Sequence, residues 1–552
     1  MVATPPDAQA RFRVGLLVLI VLGGSLLRFV GLGNESIWLD EVTSVLIARL
    51  DVPSLVIWTA ADVHPPLYYL TLHFWLRFGE TEFAVRSLSA LFGVYTIVIV
   101  YALARELFDR DVGLLSALLL ALSPMHIWYS QEARMYAMVT AWSLSASYLL
   151  VLAVRSDSMA LRRRQTRYWL GYVLFSVLAL YTHYFELFVL LFQNLFILYW
   201  LLSRGRRRLW QDGAERKLWR RWLLAELGIA LLLLPWVPVM YRQVSGGGGG
   251  WVEKSIGAPT VRALLDTWLH FSIGLDRQLY PDFLRRIAYV LFAVPILAVG
   301  VELLPASVRQ RLARRPVPIP REQGAGSRQL LGERLPEDAY PQEPLPSARE
   351  YGVRSAYRTG LWFCVMYVLV PLLVCWLVSQ AKPMYTERYL LPFVPPYCIV
   401  VACGLKAIRW RWLRLAMILC LMLALLVGNW NALRVEQRED WRWASSYVLD
   451  RARPDDVVLF LPRWMAKPFD YYARGRIVLS MDLPVPVTAQ AAQDVAADIA
   501  QRYKRVWLVW QNGHYSDPDG IVKQLFDTRF TLVEAVEFHG VGSLIIYDLE
   551  GT

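Results

Sequence analysis

Apolar runs of about 20 residues recur through about the first 430 positions, each long enough to cross roughly 30 Å of bilayer hydrocarbon. In lipid a segment must satisfy its own backbone polar groups, so such a chain folds as a bundle of membrane helices. The composition agrees: 56% of the 552 residues are hydrophobic, with 23 Trp and 28 Tyr, well above a soluble average. The first run, Val14 to Val30, lacks an A-x-A site and is followed by many others. It therefore reads as a retained span and not as a cleaved leader.

A net charge of +12 invites a nucleic-acid reading, but its distribution argues for a membrane and no nucleic acid. Basic residues cluster at Arg155 to Arg167, Arg204 to Arg221, Arg309 to Arg358 and Lys406 to Arg414. Between them lie loops with few cations, around 34–85, 123–136, 241–284 and 380–388. That alternation is the positive-inside pattern. It predicts about 11 transmembrane helices, near 14–33, 84–104, 112–124, 136–154, 168–182, 185–203, 222–240, 285–304, 359–379, 389–405 and 412–430. Arg11 and Arg13 place the N-terminus in the cytoplasm, and an odd span count puts the C-terminus outside the cell membrane.

Residues 1–434 thus read as a transmembrane domain, and 305–358, rich in Arg, Pro and Glu, as a disordered cytoplasmic loop. Residues 435–552 read as a small extracytoplasmic α/β domain. Strand-like runs occur at 457–461, 476–479, 506–510 and 544–547, with helical stretches near 440–452, 488–503 and 518–526. No glycine-rich phosphate loop follows any of these strands, so nucleotide binding is not expected there. Gly246 to Gly250 is either a mobile gate or a slack linker. The five cysteines, Cys364, Cys375, Cys398, Cys403 and Cys420, lie in or beside the last three spans and read as buried structural thiols.

Asp40-Glu41 lies just beyond the first span. Two carboxylates at the mouth of a membrane bundle are solvated, cap a helix, or do chemistry. Val42, Val45, Leu46 and Arg49 recur at helical spacing, so a surface-lying amphipathic helix is expected from Glu41, with Asp40 as its N-cap. An Asp at a helix N-terminus is also placed to accept a proton or a substrate hydrogen bond. The same loop carries Asp62 and His64, fixed by Pro65-Pro66. Asp40, Glu41 and His64 are candidate ligands for a divalent cation, although no spacing demands one.

The segment Ser123 to Tyr136 contains Pro124, which ends the third span, and then Tyr129, Glu132, Arg134 and Tyr136. Glu132 and Tyr136 would share a helix face at i, i+4. A plain interfacial anchor of Trp, Tyr and Arg is the competing reading. A second basic element, Lys382 to Pro392, places Arg388 among tyrosines, and Tyr181 to Glu186 adds another polar turn. Paired arginines suit a phosphate; carboxylates and aromatic faces suit a sugar.

In order, Trp38-Leu39-Asp40-Glu41, Asp62-Val63-His64-Pro65-Pro66, Gln131-Glu132-Ala133-Arg134-Met135-Tyr136 and Glu387-Arg388-Tyr389 resemble the bacterial branch of glycosyltransferase family 39. That family includes the protein O-mannosyltransferases, is related to the lipid A aminoarabinose transferases, and has the GT-C fold. The resemblance covers roughly residues 10–430. It implies a polyprenyl-phosphate sugar donor and transfer to a hydroxyl acceptor on the outer face, with inversion. By the motif, Asp40 would be the catalytic base, with Glu41 supporting it or contacting the acceptor. Arg134 and Arg388 would hold the donor phosphate. Asp62, His64, Tyr69, Tyr129, Glu132, Tyr136 and Lys382 are the further substrate-binding candidates. After His64-Pro65-Pro66-Leu67 the eukaryotic protein mannosyltransferases place a small residue and a lysine, where this chain has Tyr68-Tyr69. The acceptor is accordingly a lipid, a glycan or a protein, with the first two at least as well supported.

The rival classes are a transporter or flippase of lipid-linked sugars and a silent scaffold. Transporters place ionisable groups at the bilayer midplane and often repeat their halves. Here the span centres are nearly charge-free and no internal repeat is visible.

Overall fold

The computed structural model describes residues 6–155, 162–203, 213–245, 257–274, 281–305, 308, 348–434, 438–474, 483, 487–511 and 517–549. A helix stands at each of the predicted spans. Eight described helices are long and apolar enough to cross a membrane, and a ninth span arises if one bent pair is counted. The membrane half begins with α1 (Pro6–Phe29), α2 (Leu39–Ala48), α3 (Val52–Ala61), α4 (Leu67–Trp75) and α5 (Glu82–Leu107). It continues with α6 (Arg110–Leu122), α7 (Pro124–Ser130), α8 (Tyr136–Arg155), α9 (Arg162–Leu180) and α10 (Glu186–Ser203). Later helices are Gly213–Leu233, Val237–Ser245, Val261–Ile273, Asp282–Leu303, Ala348–Ala381, Val394–Ala407 and Arg411–Ala432.

Large apolar residues point outward at helical spacing, as in Leu223, Leu227 and Leu231 or Leu415, Leu419 and Leu423. Such an exposed stripe suits hydrocarbon and not water. The inner helix is Val394–Ala407, and the window around it is 89% buried. The bundle core unites it with α5, α6 and α8 through residues such as Ile97, Leu120, Leu144 and Ile399.

Three expectations for the membrane half need correction. The 305–358 loop is not wholly irregular, because 348–358 belongs to the helix Ala348–Ala381. There Arg358 Nη2 donates to the Leu303 carbonyl (2.8 Å) and Tyr357 packs edge-on against Phe108. The α2 helix begins at Leu39, ahead of the expected Glu41, and Val42 and Val45 of its apolar face are fully buried in the bundle. Cys420 is exposed, whereas Cys364, Cys375, Cys398 and Cys403 are buried. The glycine run 246–250 and the strand-like run 476–479 lie outside the described residues.

Pro124 does more than end a span. It opens α7 at a 61° bend, with Ser123 as N-cap. The bend leaves carbonyls at the end of α6 without helical partners. Arg28, buried on α1, donates to the Leu120 and Ala121 carbonyls (both 3.1 Å), and Asn429 Nδ2 donates to Leu122 (2.9 Å). A Cβ on Gly93 would lie 2.2 Å from Ser130 Oγ, so only glycine lets α5 approach α7 this closely. The outcome is a turn at 131–135, held at the mouth of the bundle.

The C-terminal sheet is mixed, in the order β1-β2-β4-β3. The strands are β1 (Asp456–Leu461), β2 (Arg505–Trp510), β3 (Thr531–Phe538) and β4 (Gly542–Asp548). β1 and β2 are parallel (Asp456 opposite Arg505), while β2–β4 and β3–β4 are antiparallel. Val457, Leu459 and Leu461 pack on helices Ala489–Arg502 and Ile521–Arg529. Val458 and Phe460 pack on Trp441–Arg451 and Ala466–Ala473. Residues 531–538 escape the sequence reading because this edge strand is almost wholly exposed and carries Glu534 and Glu537. Charges of that kind keep an edge from pairing with another chain.

This domain sits on the loop after α1 and on the start of α5. Arg442 pairs with Glu82 (2.6 Å) and donates to the Gly33 carbonyl (3.1 Å). Tyr472 donates to Glu82 (3.0 Å) and accepts from the Ile37 amide (2.7 Å).

Candidate active site

The two adjacent acids have different surroundings. Asp40 lies in the first turn of α2, whose N-cap is Trp38, so the expected capping role is not observed. Glu41 is fully buried and meets Arg86 of α5 through two bonds, Nε to Oε1 (2.8 Å) and Nη2 to Oε2 (2.6 Å). The Ala133 amide also donates to its Oε1 (2.8 Å). Burial favours protonation of Glu41, but Arg86 and Arg438 outweigh it and hold the carboxyl below its ordinary value. Arg86 further donates to the carbonyls of Leu32, Glu35 and Ser36. Glu41 therefore ties α2, α5 and the 131–135 turn together.

Asp40 faces the mouth. Its Oδ2 accepts from Arg388 Nη1 (2.8 Å), with Asp40 24% and Arg388 34% exposed along the side chain. Arg134 is buried beside it; Nη1 donates to the Asp40 carbonyl (3.3 Å), Ser44 Oγ (3.2 Å) and Tyr69 Oη (3.5 Å). Three polar atoms here are buried without a hydrogen-bond partner: Arg134 Nε, Glu132 Oε2 and Tyr136 Oη. Unpaired buried atoms are costly, and their convergence beside a half-open carboxylate suits a bound ligand.

The expected i, i+4 pairing of Glu132 and Tyr136 is not formed. Residues 131–135 make a turn in which the Arg134 amide donates to the Glu132 carbonyl (2.7 Å), and α8 starts only at Tyr136. Aromatic rings nonetheless gather. Tyr136 stands 5.4 Å from Tyr129, 6.1 Å from Tyr389 and 6.2 Å from His183. His64 lies 5.8 Å from His183, and its Nδ1 is 3.5 Å from Asp62 Oδ2. Burial lowers the His64 pKa and keeps the ring neutral; burial alone would raise the Asp62 carboxyl, but His64, the Val63 amide and Arg134 together outweigh it and hold it below its ordinary value. Lys382 stands apart from this group, donating to the Val244 carbonyl (2.8 Å) at the end of Val237–Ser245. Among the described residues no three His, Cys, Asp or Glu side chains are close enough to hold a metal ion. The Asp40, Glu41 and His64 set does not fit one, since Glu41 is consumed by Arg86 and His64 is turned to Asp62.

Sequence reasoning missed Arg86 and Arg438, which hold the acid pair and the turn. Arg86 carried a usable signal, since a cation inside an apolar span needs a buried partner.

Glu132 offers a measurable titration. Burial pushes its carboxyl up from the ordinary 4.5 to about 7, against the pull of Arg388. Between those values the folded chain holds a proton that the unfolded chain has released, so stability falls as pH rises. His64, buried and neutral, titrates in the same range with the opposite sign, so the readout is a difference: in thermal unfolding of purified protein, the Tm of wild type relative to Glu132→Gln is expected to decline across about pH 4.5–7. Parallel curves for the two proteins would remove this titration from Glu132.

Residues 63–241 match the family model described as dolichyl-phosphate-mannose-protein mannosyltransferase. No curated protein matches the sequence significantly. Among solved structures, ArnT from Cupriavidus metallidurans in the apo state superposes with a TM-score of 0.57 at 11% identity, covering 98% of this chain and 99% of that one. The same protein bound to undecaprenyl phosphate gives the same values. Archaeal oligosaccharyltransferase AglB from Archaeoglobus fulgidus, in complex with an inhibitory peptide and a dolichol-phosphate, aligns with a TM-score of 0.51 at 13% identity. That alignment covers 95% of this chain and 73% of AglB. The architecture is the GT-C fold of membrane glycosyltransferases, with a small C-terminal sheet domain.

Proposed function

We propose that this protein is an integral-membrane glycosyltransferase that moves a sugar from a polyprenyl-phosphate donor to a hydroxyl acceptor, with inversion. The observation that carries the reading is the meeting, at one mouth of the bundle, of a partly open Asp40 carboxylate with Arg388 and Arg134. The match of residues 63–241 to a lipid-linked mannosyl transfer family and the lipid-phosphate complexes of two proteins with this fold support it.

In the proposed reaction the acceptor oxygen attacks the anomeric carbon from the side opposite the phosphate. Asp40 takes the hydroxyl proton as the new C–O bond forms. The bond from the anomeric carbon to the phosphate oxygen breaks, and polyprenyl phosphate departs with the electron pair. Arg388 and Arg134 stabilise the charge growing on that phosphate. Glu41 acts by holding Asp40 and the turn, because its burial and its pairing with Arg86 keep it from the acceptor. Tyr69, Tyr129, Tyr136, Glu132, Asp62 and His64 line the sugar. The mouth lies on the extracytoplasmic side by the charge asymmetry of the loops, which also places the C-terminal domain there.

The test supplies the protein in nanodiscs with polyprenyl-phosphate mannose, glucose, galactose, arabinose and N-acetylhexosamine in turn. Envelope lipid, glycan and protein fractions serve as acceptors, and free polyprenyl phosphate is measured. Release from at least one donor is expected, with much weaker donor binding in Arg388→Met. Tight binding of donors without release, together with their movement across the bilayer of sealed proteoliposomes, would replace the enzyme by a flippase.

A further inference from the structure

The segment leading into the C-terminal domain carries a guanidinium into the support of the 131–134 turn. Arg438 is 6% exposed along its side chain. Its Nη2 donates to the Gln131 carbonyl (2.8 Å), and its Nη1 lies 3.8 Å from Glu41 Oε1. Its Nε stands 3.6 Å from Glu35 Oε2, and the guanidinium covers the Trp128 ring at 5.2 Å. One side chain thus touches the loop before the acid pair, Glu41 itself, and the residue just before Glu132, Ala133 and Arg134.

These contacts all run to the membrane half, so they do nothing for the domain's own core. Burying a cation is expensive unless its pairing serves the fold or the site. The docking seam fixes where Arg438 enters. Asp440 accepts from Ser36 Oγ (3.3 Å), and the Arg442 amide donates to the same hydroxyl (3.1 Å). Gln131 in turn reaches back with its amide to the Leu27 and Val30 carbonyls (both 3.2 Å), so the turn has an anchor on α1 and another on Arg438.

We propose that Arg438 is a positioning residue of the site, through which the docked C-terminal domain sets the 131–134 turn and so holds Arg134 against Asp40. The proposal rests on the transferase reading for its kinetic consequence, but its structural consequence is independent of it. An error of about 1 Å in a catalytic constellation can cost about 100-fold in rate.

Three variants test it in the full-length protein. Arg438→Met keeps the packing over Trp128 and removes the donors; kcat is expected to fall by about 10- to 100-fold, with donor KM changed far less. Arg438→Ala leaves a space, and millimolar guanidinium is expected to restore part of its turnover and none of that of Arg438→Met. Arg438→Lys, which keeps a cation and a stem, is expected to be intermediate and supplies folded protein if the others do not. Hydrogen exchange of the 131–135 amides, measured without substrate, is expected to rise in Arg438→Met relative to wild type. Wild-type exchange in that variant, or lost turnover in Arg438→Ala that guanidinium leaves unrestored, overturns the proposal. If no donor is turned over even by wild type, the transferase reading fails and the exchange result alone decides on Arg438.

Discussion

Asp40→Asn is expected to lower sugar transfer by about 10²- to 10⁴-fold, the usual worth of a positioned general base. The substitution preserves size, and the amide oxygen can still accept from Arg388, which in the parent donates to Oδ2 at 2.8 Å. The backbone contact also survives, because Arg134 meets the Asp40 carbonyl and not its side chain. What is lost is the ability to take the acceptor's proton. Donor KM should therefore stay near wild type while kcat collapses, the pattern of an interaction made only in the transition state. The check is steady-state release of polyprenyl phosphate against donor concentration for both proteins. Turnover within a few-fold of wild type would reduce Asp40 to an ion-pair partner of Arg388. A rise in KM with unchanged kcat would move it to donor binding.

Much of this architecture was legible in the sequence, for physical reasons. Hydrocarbon thickness dictates span length, so a helix stands at each predicted span, and runs such as 457–461 read as strands because both faces are buried. Asp40, Arg134 and Arg388 were readable as a group only because they recur in a fixed order of motifs; nothing local brings residues 40 and 388 together. Other features depended on tertiary context. Ser123-Pro124 announced the end of a helix, but the restart as α7 depends on Arg28 and Asn429 satisfying the freed carbonyls. The amphipathic pattern of α2 was real, and its Val42 and Val45 are buried against the bundle. The edge strand β3 looked like a charged loop, since its exposure removes the apolar pattern. Arg438 carries no motif at all, and only the docking of one domain on the other gives it a role.

Arg86→Leu is expected to destabilise the protein by about 3–5 kcal/mol, the cost of leaving one partner of a buried ion pair uncompensated. The side chains of Arg86 and Glu41 are 1% and 0% exposed, so water cannot replace the lost bonds. The carbonyls of Leu32, Glu35 and Ser36 lose their donor in the same step. The thermal midpoint of detergent-purified protein should fall accordingly, and Glu41→Gln, which keeps two hydrogen-bonding atoms and removes the charge, should fall less. The double variant Arg86→Leu with Glu41→Leu removes the stranded charge and should recover part of the loss. The recovery stops short of wild type because those carbonyls and the Ala133 amide stay unpaired. A stability loss in Arg86→Leu of under about 0.5 kcal/mol, the range of ordinary surface changes, would show that the pair does not hold the mouth together. If the double variant regains stability but not turnover, the pair's contribution to folding and its placement of Asp40 are separable. The Ala133 amide bond to Glu41 would then be the link between the acid pair and the arginine turn.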